Sequence, residues 1–355
     1  MEHRTGLSIV AAACAAALTL PAAAAAKTRV VYAGPPPATN KIAVKLVPKS
    51  FSKLNPDINA FFNQRTTINV GDSVSFHING FHTVDLPGHA GSDLPFIIPG
   101  ATVSGVNDAA GNPFWFNGKV PSLGIDPQLF ARSGGHTYSG STRIDSGVAS
   151  SKPLNVKFTK PGTYKFFCDI HPGMVGYVVV KPKGKPVPTA KQAAAVQTAQ
   201  IVSDIKGARK LLKAKQPADT VSLGESTRSG VELYAMFPAS LTVNPGTTVT
   251  FTMSRFSRET HTAAFGPISY LMPLAKSFQG APQFAPAATY SSDPTQPLTL
   301  TPSSHGNGFV NTGVLDRDPS TKQIGPSSRI DFTTPGTYHF VCLIHPFMQG
   351  TIVVK

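Results

Sequence analysis

The sequence predicts an all-β protein of two similar domains in tandem, joined by a linker that contains an α-helix. Its 355 residues exceed one ordinary domain, and each half is long enough to bury its own core. Frequent Gly and Pro, together with many Thr, Val and Phe residues, are typical of short strands separated by turns. One motif also occurs twice: the segment 161–174 returns at 335–348 with ten of its fourteen residues unchanged.

The first 26 residues have the pattern of a signal peptide. Arg4 supplies a basic start, residues 7–20 are apolar, and the small residues 22–26 offer cleavage sites. The apolar stretch is shorter than the roughly 20 residues that span a bilayer. We therefore expect an exported protein, periplasmic, cell-surface or secreted, with lipidation at Cys14 as an open alternative.

The first domain is predicted to cover residues 27–183, with its repeat unit beginning near Asn40. Residues 41–48 alternate between apolar and polar side chains, as a strand would. Residues 67–78 form two strand-like runs separated by a Gly-Asp turn. His82 follows the second run and Gly80, so it is expected at the end of a strand, where ligands usually project.

A linker is predicted at residues 184–224. It begins within a Lys- and Pro-rich stretch, residues 181–188, and residues 190–215 carry apolar side chains at the spacing of an amphipathic helix. The simplest interpretation is a helix that lies across one domain or bridges both. Its basic residues would also suit contact with an anionic surface.

The second domain is predicted to cover residues 225–355. Its strand-like run at 241–253 leads to His261 as the earlier run leads to His82. Outside the signal segment, Cys168 and Cys342 are the two cysteines, one per domain. A disulfide would have to join the same position of two equivalent domains, so a metal thiolate in each domain explains their placement better.

The repeated motif has the order Cys-x2-His-x2-Met and follows an aromatic strand. One thiolate, two imidazoles and a weak thioether form the ligand set of a blue (type 1) copper site. The sequence therefore predicts two copper ions per chain and no catalytic residues. The predicted ligands are His82, Cys168, His171 and Met174 in the first domain, and His261, Cys342, His345 and Met348 in the second.

These motifs resemble the cupredoxins of the plastocyanin/azurin family, with copper loops most similar to that of amicyanin. The similarity is clearest in the segment 342–355 and is repeated in the segment 168–181. The resemblance implies a Greek-key β-sandwich in each domain, with copper at one end and one-electron transfer as its function. It also implies that His171 and His345 lie near the surface as electron exits.

Two long insertions depart from a small single-domain cupredoxin. They lie at about 90–151 and 266–325 and are rich in Gly, Pro and Ser. We expect them to cover the copper end or the domain interface. His136 and His305 lie at similar distances before the two cysteines and are candidates for equivalent positions. A solvent-exposed loop role is the simpler interpretation, with a second metal site as the alternative.

Two other function classes remain open. Two-domain copper oxidases and copper nitrite reductases also contain such repeats, but the sequence contains no His-x-His pair, and a catalytic copper would have to lie between subunits. A copper-delivery protein would usually carry Met- or His-rich stretches. The net charge of +14 favours an acidic redox partner or an anionic cell envelope, and no pattern indicates nucleic acid binding.

Overall fold

A computed structural model describes residues 26–89, 91–148, 150–279, 282–318 and 325–355 of the chain. The predicted signal peptide, with Cys14, lies outside the described residues except for Ala26. Within them the chain forms two β-sandwiches and a long interdomain helix, which confirms the predicted all-β, two-domain fold. None of the helices there combines the length and the apolarity that crossing a bilayer requires.

The first sandwich consists of two five-stranded sheets that face each other across an apolar core. The core includes Val74, Phe76, Val156 and Phe166, because alternate residues of each strand point inward. The sheet orders are β3-β1-β5-β11-β9 and β10-β6-β12-β13-β4. The strands of this half of the chain are β1 (Thr28–Ala33), β2 (Pro56–Ile58), β3 (Phe61–Phe62), β4 (Arg65–Asn69), β5 (Ser73–Ile78), β6 (Asp85–Leu86), β7 (Ile97–Thr102), β8 (Pro121–Ile125), β9 (Thr137–Tyr138), β10 (Ile144–Asp145), β11 (Leu154–Phe158), β12 (Gly162–Phe167) and β13 (Val175–Lys181). Strand β2 belongs to a sheet of the second sandwich, and β7 and β8 pair with each other in a separate two-stranded sheet.

The predicted start of this repeat near Asn40 is wrong. The sandwich begins earlier with β1, which pairs in parallel with β5. Residues 41–48 do not form a strand, because helix α1 (Thr39–Ala43) and a 3₁₀ helix (Lys49–Leu54) occupy this region. Ile42, Ala43, Leu46 and Val47 have the spacing of one helical face and pack against the interdomain core, so the alternation in the sequence is misleading.

The second sandwich repeats the plan. Its sheets have the orders β19-β21-β17-β14-β15-β2 and β16-β23-β22-β18-β20. Strand β14 begins inside the segment predicted as linker, so the predicted boundary at residue 225 divides this strand. The strands are β14 (Thr220–Ser226), β15 (Val231–Phe237), β16 (Ser240–Val243), β17 (Thr247–Met253), β18 (Ala264–Phe265), β19 (Leu298–Leu300), β20 (Val310–Asn311), β21 (Ser327–Phe332), β22 (Gly336–Val341) and β23 (Gln349–Val354).

One strand crosses between the domains. Although β2 belongs to the first half of the chain, it pairs antiparallel with β15, with Ile58 opposite Val231 and Pro56 opposite Leu233. The edge of the second sandwich is therefore covered by a segment of the first.

The predicted linker helix is present as α2 (Ala190–Leu211). Thr189 caps it by accepting a hydrogen bond from the Gln192 backbone N–H, while the Gln192 side chain accepts one from the Thr189 N–H. Ile201, Ile205 and Ala208 are buried on one face, against Phe51, Phe62, Val231 and Leu233. The helix thus bridges both domains.

The two insertions pack against each other and form a separate apolar core. The first contributes β7, β8 and a 3₁₀ helix (Pro127–Phe130), and the second contributes α3 (Ile268–Lys276), α4 (Pro286–Thr289) and a 3₁₀ helix (Ser304–Gly306). Their shared core includes Phe114, Phe116, Leu271, Phe284 and Phe309. The insertions therefore build a large part of the domain interface.

His136 and His305 are not equivalent. His136 precedes β9, is exposed and lies 2.9 Å from the Asn155 carbonyl oxygen. His305 follows β19, the counterpart of β9, and lies between Asp108 of the first insertion (3.4 Å) and Asp293 of the second (3.5 Å). It also stacks on Phe114. Similar distances along the sequence were misleading because the insertions fold differently.

Candidate metal centres

In the first sandwich, one thiol and two imidazoles converge at one end of the core. The Cys168 Sγ lies 3.7 Å from His82 Nδ1 and 3.4 Å from His171 Nδ1, and the two Nδ1 atoms are 3.0 Å apart. All three side chains are buried. Cys168 follows β12, His82 follows β5, and the short loop after Cys168 returns His171 to the same point.

The second sandwich contains the same arrangement. The Cys342 Sγ lies 3.7 Å from His261 Nδ1 and 3.9 Å from His345 Nδ1, and the two nitrogens are 3.2 Å apart. Cys342 and His261 are buried, whereas the His345 side chain keeps 20% of its surface exposed. Both cysteines are free thiols, so no disulfide joins the domains.

The two methionines lie beside these groups in the cores. Met174 and Met348 are fully buried, in the same apolar clusters as Cys168 and Cys342 respectively. Each loop is closed by backbone hydrogen bonds. The Cys168 N–H donates to the Met174 carbonyl (3.1 Å) and the Cys342 N–H to that of Met348 (3.0 Å). The loop therefore holds the cysteine and methionine of each site at a fixed spacing.

Backbone groups also position both thiols. The N–H of Thr83 donates to the Cys168 Sγ and the N–H of Thr262 to the Cys342 Sγ, each over 3.4 Å. The hydroxyl oxygen of each threonine accepts a hydrogen bond from the residue after the cysteine, Asp169 (2.8 Å) or Leu343 (2.7 Å). These contacts tie the His-bearing loop to the Cys-bearing loop.

A glycine lies against the first histidine of each site. A Cβ on Gly34 would come within 2.7 Å of His82 Nε2, and a Cβ on Gly224 within 3.2 Å of His261 Nε2. Both glycines have a positive φ, 81° and 83°, which side-chain-bearing residues rarely adopt. The backbone therefore supports each imidazole directly.

The cysteine and the two histidines of each site strongly affect one another's pKa. Burial alone would raise the pKa of the Cys168 thiol, but the charge and hydrogen bond of His171 and the hydrogen bond of His82 lower it well below its usual value. The pKa of Cys342 is lowered for the same reason by His261 and His345. A thiolate beside two imidazoles is the form that binds a metal.

A carboxylate lies between the outer edges of the two sites. Glu259 Oε1 is 2.9 Å from His171 Nε2, and Oε2 is 3.8 Å from His345 Nε2. Burial opposes ionisation of Glu259, but His171 outweighs it, and the pKa of Glu259 is lowered. In turn, Glu259 and Cys168 overcome the effect of burial and raise the pKa of His171 to about 10.

His171 is therefore not exposed, contrary to the expectation that it lies near the surface as an electron exit. It is only 5% accessible, because the second half of the chain covers it. A cavity of about 510 Å³ separates the domains here. It is lined by, among others, Phe81, His82, His171, Tyr234, His345 and Phe347.

Three buried carboxyl groups lie behind the first site. Asp85, Asp145 and Asp169 place oxygen atoms within 4.8 Å of one another, and Arg143 pairs with Asp85 at 2.7 Å. Burial is the largest cause of the raised pKa of Asp169, and repulsion from Asp85 and Asp145 adds to it. Burial also raises the pKa of Asp85, although the charge of Arg143 opposes this shift. The strand pairings place Ala264 and Asn311 at the corresponding positions of the second domain, and Leu343 follows Cys342.

The two donor sets fit copper. Bonds of roughly 2.0–2.3 Å, as transition metals make to imidazole and thiolate, place donors that share one ion at separations like those seen here. A thiolate and two imidazoles in a buried, rigid frame, with a thioether nearby, are the donors of a type 1 copper site. The residues therefore fit two such sites, one in each sandwich.

Several residues that shape the sites carry no recognisable sequence signal. Glu259 meets His171 of the first site across the domain interface, and Tyr234 acts on that site through its hydrogen bond to Glu259. Gly34 precedes the segment in which the repeat was expected to begin. Thr83 and Thr262 did carry a signal, because each directly follows its histidine in the two aligned segments.

Comparisons with known proteins agree with this chemistry. Residues 134–181 match the sequences described as copper binding proteins, plastocyanin/azurin family. No curated protein matches the chain.

Solved structures similar to the chain include plastocyanin from the fern Dryopteris crassirhizoma (24% identity, 38% of this chain and 99% of that one, TM-score 0.22). Another is auracyanin A, a blue copper protein from Chloroflexus aurantiacus (19% identity, 38% and 96%, TM-score 0.24). A third is the purple cupredoxin from Nitrosopumilus maritimus (15% identity, 38% and 98%, TM-score 0.21). The segment 134–181, which contains Cys168, His171 and Met174, is thus similar to the copper binding proteins of the plastocyanin/azurin family. The second half of the chain repeats the fold and the arrangement of donors seen in the first.

Proposed function

We propose that the protein is an exported one-electron carrier that binds two type 1 copper ions. The observation that carries this proposal is the convergence of a buried thiol and two imidazole Nδ1 atoms, within 3.0–3.9 Å of one another, at the same place in both sandwiches. The proposed ligands are His82, Cys168, His171 and Met174 for one ion and His261, Cys342, His345 and Met348 for the other.

When bound, copper supplies a couple of two oxidation states that differ by one electron. The protein contributes a rigid set of ligands whose positions do not have to change between the two oxidation states. Each cysteine follows a paired strand, each loop is closed by backbone hydrogen bonds, and Gly34 and Gly224 support the first histidines. Donors held in this way suit both oxidation states with little rearrangement, which favours fast electron exchange.

An electron carrier is supported over an enzyme whose catalytic copper lies within this chain. Such an enzyme needs additional clustered histidines. Across the described ranges, the group of possible metal ligands outside the two donor sets is the aspartate trio behind the first site, which contains no histidine. His136 and His305 lie apart and have other partners.

A copper count combined with visible and electron paramagnetic resonance spectra tests the proposal. We expect two copper ions per chain and an intense thiolate-to-copper charge-transfer band. The double variant Cys168→Ser/Cys342→Ser is the matched control, and it should be colourless. A colourless wild-type protein after copper loading, or one that binds only zinc, would refute the electron-transfer function.

The physiological partner is proposed to be an acidic redox protein. The net charge of +14 supports this, because electrostatic steering raises association rates by roughly 10–1,000-fold and weakens as salt is added. Stopped-flow reduction by an acidic cytochrome should slow steeply across a salt series, while reduction by a small neutral reagent stays constant. A flat series with the cytochrome would assign the charge to solubility or to attachment to an anionic cell envelope.

Export is proposed from the first 26 residues. Sequencing of the N-terminus of the protein isolated from its source should find that these residues are absent, and a retained N-terminus would contradict cleavage.

A further inference from the structure

The two donor sets are connected by a single side chain. In each set the Nδ1 atoms of the histidines face the thiol, so Nε2 is the outer nitrogen of the ring. Glu259 presents one carboxylate oxygen to the outer nitrogen of His171 (2.9 Å) and the other to that of His345 (3.8 Å). A neutral imidazole whose Nδ1 is a metal ligand carries its proton on Nε2, so both rings point a donor at Glu259.

Glu259 is held firmly between the rings. Its Oε1 also accepts hydrogen bonds from the Asn59 amide and the Tyr234 hydroxyl, each over 2.7 Å. Asn59 comes from the first half of the chain and Tyr234 from the second, so residues of both domains fix the carboxylate. The Glu259 side chain is only 9% exposed. The Tyr234 ring also packs edge-on against His261 and His345.

The surroundings of the two histidines differ. His171 and His82 are buried, whereas His345 keeps a fifth of its surface exposed beside the exposed ring of Phe347. A protein partner can thus approach the edge of His345 more closely than that of His171.

We propose that Glu259 is the residue through which one electron passes between the two metal sites. This inference rests on the proposed electron-transfer function. The electron leaves one site through His345 and arrives at the other through His171, so one site is oxidised as the other is reduced. No covalent bond changes, and both Nε2 protons remain in place. The second site then serves as the entry point and the first as an inner store.

The test uses the full chain loaded with copper at both sites and three variants. Glu259→Gln keeps the size of the side chain but removes its negative charge and replaces one of its two acceptor oxygens by an NH2 donor. Glu232→Gln is the matched control, since this buried carboxylate accepts its hydrogen bonds from Ser257 and the Arg258 backbone rather than from a copper histidine. Cys342→Ser removes the proposed entry site.

Bleaching of the blue band by an acidic reduced cytochrome is the kinetic measurement. We expect one phase in the wild type and in Glu232→Gln. In Glu259→Gln half of the band should bleach at the wild-type rate and half several-fold more slowly. In Cys342→Ser the remaining band should bleach slowly. Dithionite, which is small enough to enter the cavity, should bleach every variant rapidly.

Proton NMR of the fully reduced, diamagnetic protein supplies a readout that does not depend on electron transfer. The Nε2 proton of His171, whose nitrogen lies 2.9 Å from Glu259 Oε1, should resonate downfield in the wild type and move upfield in Glu259→Gln alone. Single-phase bleaching of Glu259→Gln at the wild-type rate, or rapid bleaching of Cys342→Ser by the cytochrome, would overturn the bridge. Failure of the wild type to develop a blue band would instead refute the proposed function itself.

Discussion

The two metal centres have the same donors but different surroundings. Behind the first lie the buried carboxyl groups of Asp85, Asp145 and Asp169, and behind the second lie the uncharged side chains of Ala264, Asn311 and Leu343. Residues of both centres line the interdomain cavity. The histidines of the first are buried, whereas His345 of the second keeps 20% of its side-chain surface exposed beside Phe347. Duplication of one fold has thus given two centres that differ in charge and in access, and the differences lie in residues that donate nothing to the metal.

The largest test of this comparison removes one thiolate at a time. Cys168→Ser should abolish the blue band of the first site and leave that of the second, and Cys342→Ser should do the reverse, because each set of donors is complete within its own domain. Visible spectra with copper counts check this. Loss of both bands in either variant would mean that the two sites depend on each other for binding.

Substitution of alanine for the two supporting glycines, Gly34 and Gly224, should reduce the stability of the protein by different amounts. A Cβ on Gly34 would lie 2.1 Å from the Asn79 carbonyl oxygen and 2.7 Å from His82, whereas on Gly224 the nearest atom is 3.2 Å away. Backbone strain costs roughly 1–2 kcal/mol at either position, and overlap adds about 1–3 kcal/mol in Gly34→Ala. Chemical denaturation of both metal-free variants compares them. Equal destabilisation would show that the two histidine supports are equivalent.

The three carboxyl groups of Asp85, Asp145 and Asp169 should make the reduction potential of the first site depend on pH. Burial raises the pKa of Asp145 to about 6 and that of Asp85 to about 7, so negative charge accumulates behind the first site as the pH rises through this range. Negative charge favours the oxidised ion. We expect the first reduction potential to fall by an amount that corresponds to roughly 1–2 kcal/mol per charge at an effective dielectric constant of about 20.

Spectroelectrochemistry from about pH 5 to 8 measures this change, which amounts to roughly 40–90 mV per charge for a one-electron couple. The second site, beside which the described part of the chain places no such carboxyl trio, should change much less. The variant Asp145→Asn should flatten the curve of the first site, and Asn311→Ala is a matched control in the second domain. Parallel curves for both sites in the wild type would contradict an electrostatic difference between them.

The smallest expected effect concerns His305, which joins the two insertions. Its pKa is raised, mainly by a hydrogen bond to Asp293 and also by Asp108, while burial opposes the shift. A raised pKa in the folded state means that the stabilisation is complete below the ordinary value of about 6.5 and is lost as the pH rises through the folded-state pKa.

His305→Gln should therefore reduce stability below about pH 6.5 by no more than about 1 kcal/mol, since Asp293 is partly exposed and screened. The loss should shrink at higher pH. Thermal unfolding across a pH series measures it, with the exposed His136→Gln as control. A loss that does not depend on pH would assign the effect to stacking on Phe114.

Local patterns predicted most of this architecture, and contacts between distant segments account for the rest. The geometry of the Cys-x2-His-x2-Met loop can be predicted from local sequence, because the strand, the turn and the loop are contiguous. His82 was predicted from its position after a strand. Residues 41–48 were misread because three alternating apolar residues fit a strand as well as a short helix. Glu259 was missed because its role exists only when the two domains meet.

The strand crossing from the first half to the second has a consequence for how the chain is made. During synthesis β2 emerges long before β15, so it waits for a partner until most of the protein has left the ribosome. A polypeptide ending at residue 183 would leave the apolar side of this segment, including Ile58 and Phe62, without the surface that covers it. The two repeats therefore depend on each other. The second sandwich lacks one edge strand without β2, and the segment that contains β2 is not covered until the second half has been translated.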